Sequence, residues 1–553
     1  MRSDFLRKKM DFRAVFVLCA LAGPVLGDSA ISKPRSCADI RQFYTGKGFG
    51  TSGVPQAEIS GEHLRVCRQG YTCCTSQMEE NLSSLSRKEF EDQVKESGRN
   101  LQASLNGQYK SFDGYFLELL NRSEVSLQDS FSASFGSLFT QMSSVFHELY
   151  SDLRRYYRGA NLNLEEALNE FWARLLERLV RALSGEHTLS EDYLECLAKQ
   201  AETLHPFGDT PHELKSRVTR MVVAARFFVQ GLVVAGEVVR KVSQVPMSVE
   251  CVRAVMKLTY CPHCMGISSA KPCPSYCQNV MKGCLANQAD LDPEWRNLAD
   301  TMLQVAERLN RPYSVDAAVM SLPKHIAEAI LYMQDNINTF NNKVFQVCGT
   351  PPKSSSPDEA MKRGTYPAEE ISRTSGAGLE KVLSNVSRKL SEVMQYWVQL
   401  PSKLCVDHEA KTSDASRCWN GIAVDRYLPE LIRDGLASQI NNPEVEIDIT
   451  KPDMTIRQQI MQLKIMTSRL RNALKGNDVD FQDTSDDISG SGSGMCSEEQ
   501  CFHGTRVMVP STNRPGHHPS PPENKKVVRG LSNRNLPCFA LYPLSLATVL
   551  LRR

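Results

Sequence analysis

The amino-acid sequence predicts an all-α fold: an elongated, disulfide-stapled helical body followed by a disordered stalk. Three observations carry that expectation. Apolar residues recur at three- and four-residue steps through most of the chain, which marks one buried face per helix. Most of the 18 cysteines crowd into the same periodic region. From residue 476 to about 530 the chain is rich in polar residues and Pro and poor in large apolar side chains, so it cannot bury enough surface to offset its conformational entropy.

Taken in order, residues 1–27 read as a signal peptide. Arg2, Arg7, Lys8 and Lys9 precede an apolar run from Ala14 to Leu26 that ends on Gly27, with cleavage expected before Asp28. That run is shorter than the roughly 18 residues of a membrane span. Residues 28–475 form the cysteine-rich helical core. Its clearest stripe is Leu164, Leu168, Phe171, Trp172, Leu175, Leu179 and Val180 within 162–183. Similar stripes occupy 124–157, 294–309, 323–346, 378–399 and 455–474. The segment 213–243 is apolar nearly all round but is interrupted by Arg220, Arg226 and Glu237, so it reads as a central core helix rather than a span. The best strand candidate is Glu444 to Ile449. A disordered loop is expected near 350–376, and a stalk over 476–530 that would span on the order of 40 Å on average. Residues 531–553 read as an anchor signal that is removed.

The composition, 41% hydrophobic and 23% charged with a net charge of +2, is that of an ordinary folded protein and excludes a polybasic nucleic-acid binder. Cys19 lies in the signal, Cys538 in the tail, and Cys496 and Cys501 in the stalk, where they could pair locally; 18 minus these four leaves 14. An even number in a secreted chain implies disulfides. Cys261-x2-Cys264 and Cys273-x3-Cys277 match zinc spacing by letter, but in an oxidising compartment bridges are expected, and no metal. Spacing leaves the pairing open, since 14 cysteines allow on the order of 10⁵ connectivities. Gly48-x-Gly50-x2-Gly53 matches a dinucleotide fingerprint without the strand that should lead into it, so it reads as a loop. Arg154, Arg155 and Arg158 read as a solvated helix face. No catalytic constellation and no cofactor motif stands out, so no enzyme is expected. Asn81, Asn121 and Asn385 begin N-glycan sequons.

Chemistry concentrates near the carboxyl end. Ser489-Gly490-Ser491-Gly492-Ser493-Gly494 follows Asp483, Asp486 and Asp487. Three Ser-Gly pairs behind carboxylates give a mobile backbone with free hydroxyls and a lure for a basic transferase cleft, as glycosaminoglycan attachment requires. The apolar segment Leu536 to Leu551 has only Arg552 and Arg553 after it, and Pro537 and Pro543 suit a span poorly. Small residues at Gly530 and Ser532 with a short polar spacer fit a glycosylphosphatidylinositol signal, with Gly530 the expected attachment residue and Ser532 the alternative.

One cysteine pattern resembles a known family. Cys261-x2-Cys264-x-Gly266-Ile267-x4-Pro272-Cys273-x2-Tyr276-Cys277-x2-Val280-x2-Gly283-Cys284 is similar to the glypican signature at every defined position. The likeness continues through Cys67-x5-Cys73-Cys74, Tyr156 to Asn161, Asn441 to Glu444 and Asp453 to Ile460. The resemblance implies seven bridges: Cys37 with Cys73, Cys67 with Cys261, Cys74 with Cys264, Cys196 with Cys348, Cys251 with Cys284, Cys273 with Cys418, and Cys277 with Cys405. It also implies heparan sulfate on Ser489, Ser491 and Ser493. A lipid would then hold the protein at the outer face of the cell membrane, with release to the extracellular space as a second destination. The expected partners are heparin-binding growth factors and morphogens of the fibroblast growth factor, Wnt, Hedgehog and Slit classes, presented as by a co-receptor. The alternative is a protein-only adhesion or receptor module whose helical body binds partners directly.

Overall fold

Side-chain oxygens set the helix starts. Thr75, Ser190, Ser248, Ser314 and Asp453 each accept a hydrogen bond from the backbone N–H three residues on, satisfying donors that an uncapped first turn leaves orphaned. The computed structural model describes residues 35–183, 189–310, 314–349, 376–406 and 417–478. The helices in chain order are α1 (Ala38–Gly46), α2 (Ser76–Phe135), α3 (Ser137–Tyr157), α4 (Leu164–Leu183), α5 (Glu191–Leu204), α6 (Thr210–Val242), α7 (Val249–Thr259), α8 (Cys261–Cys264), α9 (Pro274–Cys284), α10 (Ala286–Ala289), α11 (Asp292–Asn310), α12 (Val315–Met320), α13 (Leu322–Asp335), α14 (Ile337–Cys348), α15 (Gly376–Val393), α16 (Tyr396–Cys405) and α17 (Met454–Lys475). Between α1 and α2, two-residue strands β1 (Ile59–Ser60) and β2 (Tyr71–Thr72) pair antiparallel.

Helix α6 is the axis of the packing. α2, α3, α4, α11, α12, α13 and α17 all lie against it, and Val222, Val223, Ala225, Phe227, Phe228, Val239 and Val242 are fully buried. Its most apolar window is 78% buried inside the body, as a core helix requires. Arg226 is 1% exposed; its guanidinium lies 4.3 Å over the ring of Tyr156 and donates to the carbonyl of Ala160 at 3.4 Å. A charge inside an apolar helix thus marks the Tyr156–Ala160 turn, which it braces.

The helical stripes differ from the structure in three places. Helix α2 begins at Ser76 and runs 60 residues, about 90 Å at 1.5 Å per residue, so the 124–157 stripe joins its last turns to α3 across Gly136. That residue has φ +51°, a left-handed value that breaks the helix and suits glycine. The 323–346 stripe divides at Asn336 and the 378–399 stripe near Gln395. Glu444–Ile449 is no strand: Asn442 Oδ1 accepts from the N–H of Glu444 (2.9 Å) and of Val445 (3.2 Å), folding the chain into a turn. The chain divides into two units, residues 1–486 and 487–553, and the second lies outside the described residues.

Candidate functional site

The seven disulfides are Cys37–Cys73, Cys67–Cys261, Cys74–Cys264, Cys196–Cys348, Cys251–Cys284, Cys273–Cys418 and Cys277–Cys405, with Cα separations from 4.9 to 6.0 Å. They are the pairs that the glypican resemblance implies. Cys261 and Cys264 are therefore bridged to different partners, which removes both as zinc thiolates. Among the described residues no group of three or more His, Cys, Asp or Glu converges as a metal site would.

Polar side chains hold the stapled region together. Glu79, in the first turn of α2, is 6% exposed and accepts from the N–H groups of Arg65 and Val66 at 2.8 Å and of Cys67 at 2.9 Å. One carboxylate thereby satisfies a whole turn of backbone donors. Asn279 is fully buried in α9. Its amide nitrogen donates to the Glu430 carbonyl at 2.9 Å and the Tyr427 hydroxyl at 3.0 Å, and its oxygen accepts from the N–H of Ile432 at 2.9 Å. Lys282 Nζ donates to the Ile432 carbonyl at 2.9 Å. This is how an irregular stretch of chain is fixed without a sheet. Burial and the nearby Glu444 push the Tyr276 phenol well up, so it stays protonated.

His263, between Cys261 and Cys264, stacks on Phe43 with ring centroids 3.9 Å apart. Lys47 lies 5.7 Å over the same Phe43 ring and pairs with Glu89 at 2.8 Å, and Glu89 also accepts from the Tyr260 hydroxyl. Burial first and the Lys47 charge second lower the proton affinity of His263. The arginines read as a solvated face of α3 carry ion pairs there: Arg154 with Glu124 and Arg155 with Asp152. The glycines of Gly48-x-Gly50-x2-Gly53 lie in the irregular segment after α1, with no strand leading in.

Of the three sequons, Asn121 on α2 and Asn385 on α15 are exposed, while Asn81 is half-buried and its amide nitrogen donates to the Tyr44 hydroxyl at 2.6 Å. Ser489, Ser491, Ser493, Cys496, Cys501, Gly530, Ser532, residues 1–34 and the loop near 350–375 lie outside the described residues. A groove of about 660 Å³ opens between α2 and α6, lined by Arg99, Asn106, Tyr109, Leu232, Val233 and Glu237 among others.

The roles of Glu79, Asn279 and Arg226 escape a reading of the sequence, because their partners are brought together only by the fold. The family model described as glypican matches residues 17–551. The chain belongs to the glypican family. It is 52% identical to glypican-1 of Gallus gallus over 97% of this chain and 98% of that one. It is 57% identical to glypican-1 of Homo sapiens over 86% of each, and 37% identical to human glypican-2 over 83% of this chain and 82% of that one. The crystal structure of C-terminally truncated glypican-1 superposes with a TM-score of 0.73 at 56% identity, over 80% of this chain and all of that one. Dally-like protein, solved in complex with O-palmitoleoyl serine, gives 0.63 at 29% identity, over 80% of this chain and 99% of that one. Glypicans are non-enzymatic heparan sulfate proteoglycans of the cell surface, and this chain is a glypican core.

Proposed function

We propose that this glypican carries heparan sulfate on Ser489, Ser491 and Ser493 and uses it to concentrate and present growth factors and morphogens of the fibroblast growth factor, Wnt, Hedgehog and Slit classes. The observation that carries the reading is the run of three Ser-Gly pairs behind acidic residues in a chain of this family. Sulfated chains are dense polyanions. Basic clusters on a ligand engage them through charge-assisted hydrogen bonds and by releasing condensed cations, and several chains side by side raise local ligand concentration without any catalytic step. In this reading residues 1–27 are removed as a signal peptide, 28–475 are the core, 476–530 the glycan-bearing stalk and 531–553 a tail exchanged for lipid at Gly530, or at Ser532. N-glycans sit on Asn121 and Asn385; Asn81, committed to Tyr44, is the least favoured of the three.

Heparan lyase treatment of the protein from cells should collapse a polydisperse band to a discrete core, and changing Ser489, Ser491 and Ser493 together to Ala should do the same without the enzyme. An unchanged smear would remove the attachment assignment. The second reading is a body that binds partners directly; the α2/α6 groove, together with a family relative solved with O-palmitoleoyl serine, favours keeping it. Ligand binding that survives the triple substitution and ignores salt would support that reading over the first.

A further inference from the structure

The last helix of the body carries cations and no acids. Helix α17 has 22 residues, among them Arg457, Lys464, Arg469, Arg471 and Lys475, and not one Asp or Glu. On several other helices cations are answered by acids one turn away: Lys95 with Glu91 at 3.1 Å, Arg181 with Glu177 at 2.9 Å, Arg240 with Glu237 at 2.6 Å, and Arg388 with Glu392. Such pairs neutralise a solvated face. On α17 that neutralisation is missing.

Burial sorts the helix into two faces. Ile456, Gln459, Leu463, Met466, Thr467, Leu470 and Ala473 are buried. Arg457, Met461, Lys464, Ser468, Arg471 and Lys475 are exposed, and their alternating steps of four and three residues place them on one stripe. At 1.5 Å per residue the stripe is about 27 Å long. The acids that face it are few. Lys464 Nζ lies 3.8 Å from Glu294 Oε1 on α11, and Asp478 follows the helix. Arg457, Arg471 and Lys475 have no ion pair among the described residues. At the carboxyl end a neighbouring helix adds charge: a Cβ at Gly476 would lie 2.8 Å from Cγ of Arg220, which is itself exposed. Arg469, half-buried beside this end, faces buried Arg226, and burial together with that like charge lowers its proton affinity. Exposed cations thus outnumber the acids named at this face, in a chain that is close to neutral as a whole.

We propose that the outward face of α17 is a binding site for a sulfated polysaccharide chain of the heparan type, held by the protein surface itself. A compact anion would meet one or two of these cations. A linear polyanion lying along the helix axis meets Arg457, Lys464, Arg471 and Lys475 in succession, with Arg220 at the end. Between the cations the stripe presents Met461 and Ser468, which put no carboxylate in the way. The proposal is independent of the attachment serines, because it concerns the body and not the stalk.

The test uses the full chain carrying Ser489→Ala, Ser491→Ala and Ser493→Ala, titrated with a size-defined heparin oligosaccharide at several salt concentrations. Binding is expected, with log affinity falling linearly with log salt. Combining Arg457→Gln, Lys464→Gln, Arg471→Gln and Lys475→Gln should lower affinity at least tenfold and reduce the salt slope by just under one unit per cation removed, as for nucleic-acid phosphates. Arg457→Lys with Arg471→Lys should retain binding. So should a matched loss of exposed cations elsewhere: Lys88→Gln, Lys110→Gln, Lys343→Gln and Lys381→Gln. Melting temperatures establish that each variant is folded, and single substitutions of Arg471 and Lys475 replace the fourfold change if it is not. No binding by the chain-free core, equal loss in the matched control, or tighter binding to phosphatidylserine vesicles than to heparin would overturn the proposal.

Discussion

A methyl group at Gly283 would stand 2.7 Å from Cβ of Val445 and 3.0 Å from the side-chain nitrogen of Asn442. Ala is the better helix former by about 1 kcal/mol, yet overpacking of this kind costs about 1–3 kcal/mol, and the obstructing Cβ is fixed to backbone that Asn442 holds in place. Gly283→Ala should therefore lower the melting temperature of the body. A melting temperature equal to or above that of the parent would show that the 442–447 turn moves aside freely. His263 gives a pH dependence. Its folded proton affinity lies below the ordinary value near 6.5, so as pH falls the unfolded chain takes up the proton first. The stability contributed by neutral His263 is complete above that value and declines as pH drops through it. The difference in melting temperature between about pH 7.5 and about pH 5.5 should shrink in His263→Gln; an unchanged difference would assign the acid sensitivity to other groups.

At the scale of elements, the periodicity of α4, α6, α11 and α17 was legible because each keeps a continuous apolar face. The first half of α2 was not. Its inward positions run Met78, Leu82, Ser86, Phe90, Val94, Gly98 and Leu101, and Ser86 and Gly98 break the stripe. Gly98 is there because a Cβ would lie 2.0 Å from Ser243 Oγ at the end of α6, a contact between residues far apart in the chain. The elements around α9 depend on covalent staples instead of periodicity. Cys277–Cys405 ties α9 to α16, and Cys273–Cys418 ties the start of α9 to the Trp419 turn. Losing one such bridge typically costs about 2–5 kcal/mol, a large share of a domain's stability. Cys277→Ser should accordingly be retained in the secretory pathway, or be secreted with a lower melting temperature. Normal surface levels with unchanged melting would show that the remaining bridges suffice.

For the whole molecule, the membrane assignment rests on the tail from Leu536 to Leu551. Removing that tail should release the protein into the medium. With the tail present, phosphatidylinositol-specific phospholipase C should free the protein from cells, because a lipid anchor exposes its phosphodiester whereas a polypeptide span offers none. Retention after the enzyme, together with survival of a carboxy-terminal tag in the mature protein, would identify the tail as a transmembrane helix.

Helix content, the core position of α6 and family membership could be read from residue order alone, because each depends on patterns short enough to be seen along the chain: a 3.6-residue period, an arginine-interrupted apolar run, a cysteine spacing. The bridge partners could be named only through resemblance, since spacing permits on the order of 10⁵ connectivities and the fold selects one. The roles of Glu79, Asn279 and Arg226 needed the tertiary structure for the same reason. Glu79 binds a turn 12 to 14 residues before it, Asn279 reads backbone some 150 residues after it, and Arg226 braces a turn 66 residues before it. The run of cations without an acid in α17 was present in the sequence all along. Its alignment into one exposed stripe was decided by which face of the helix α6 and α11 bury.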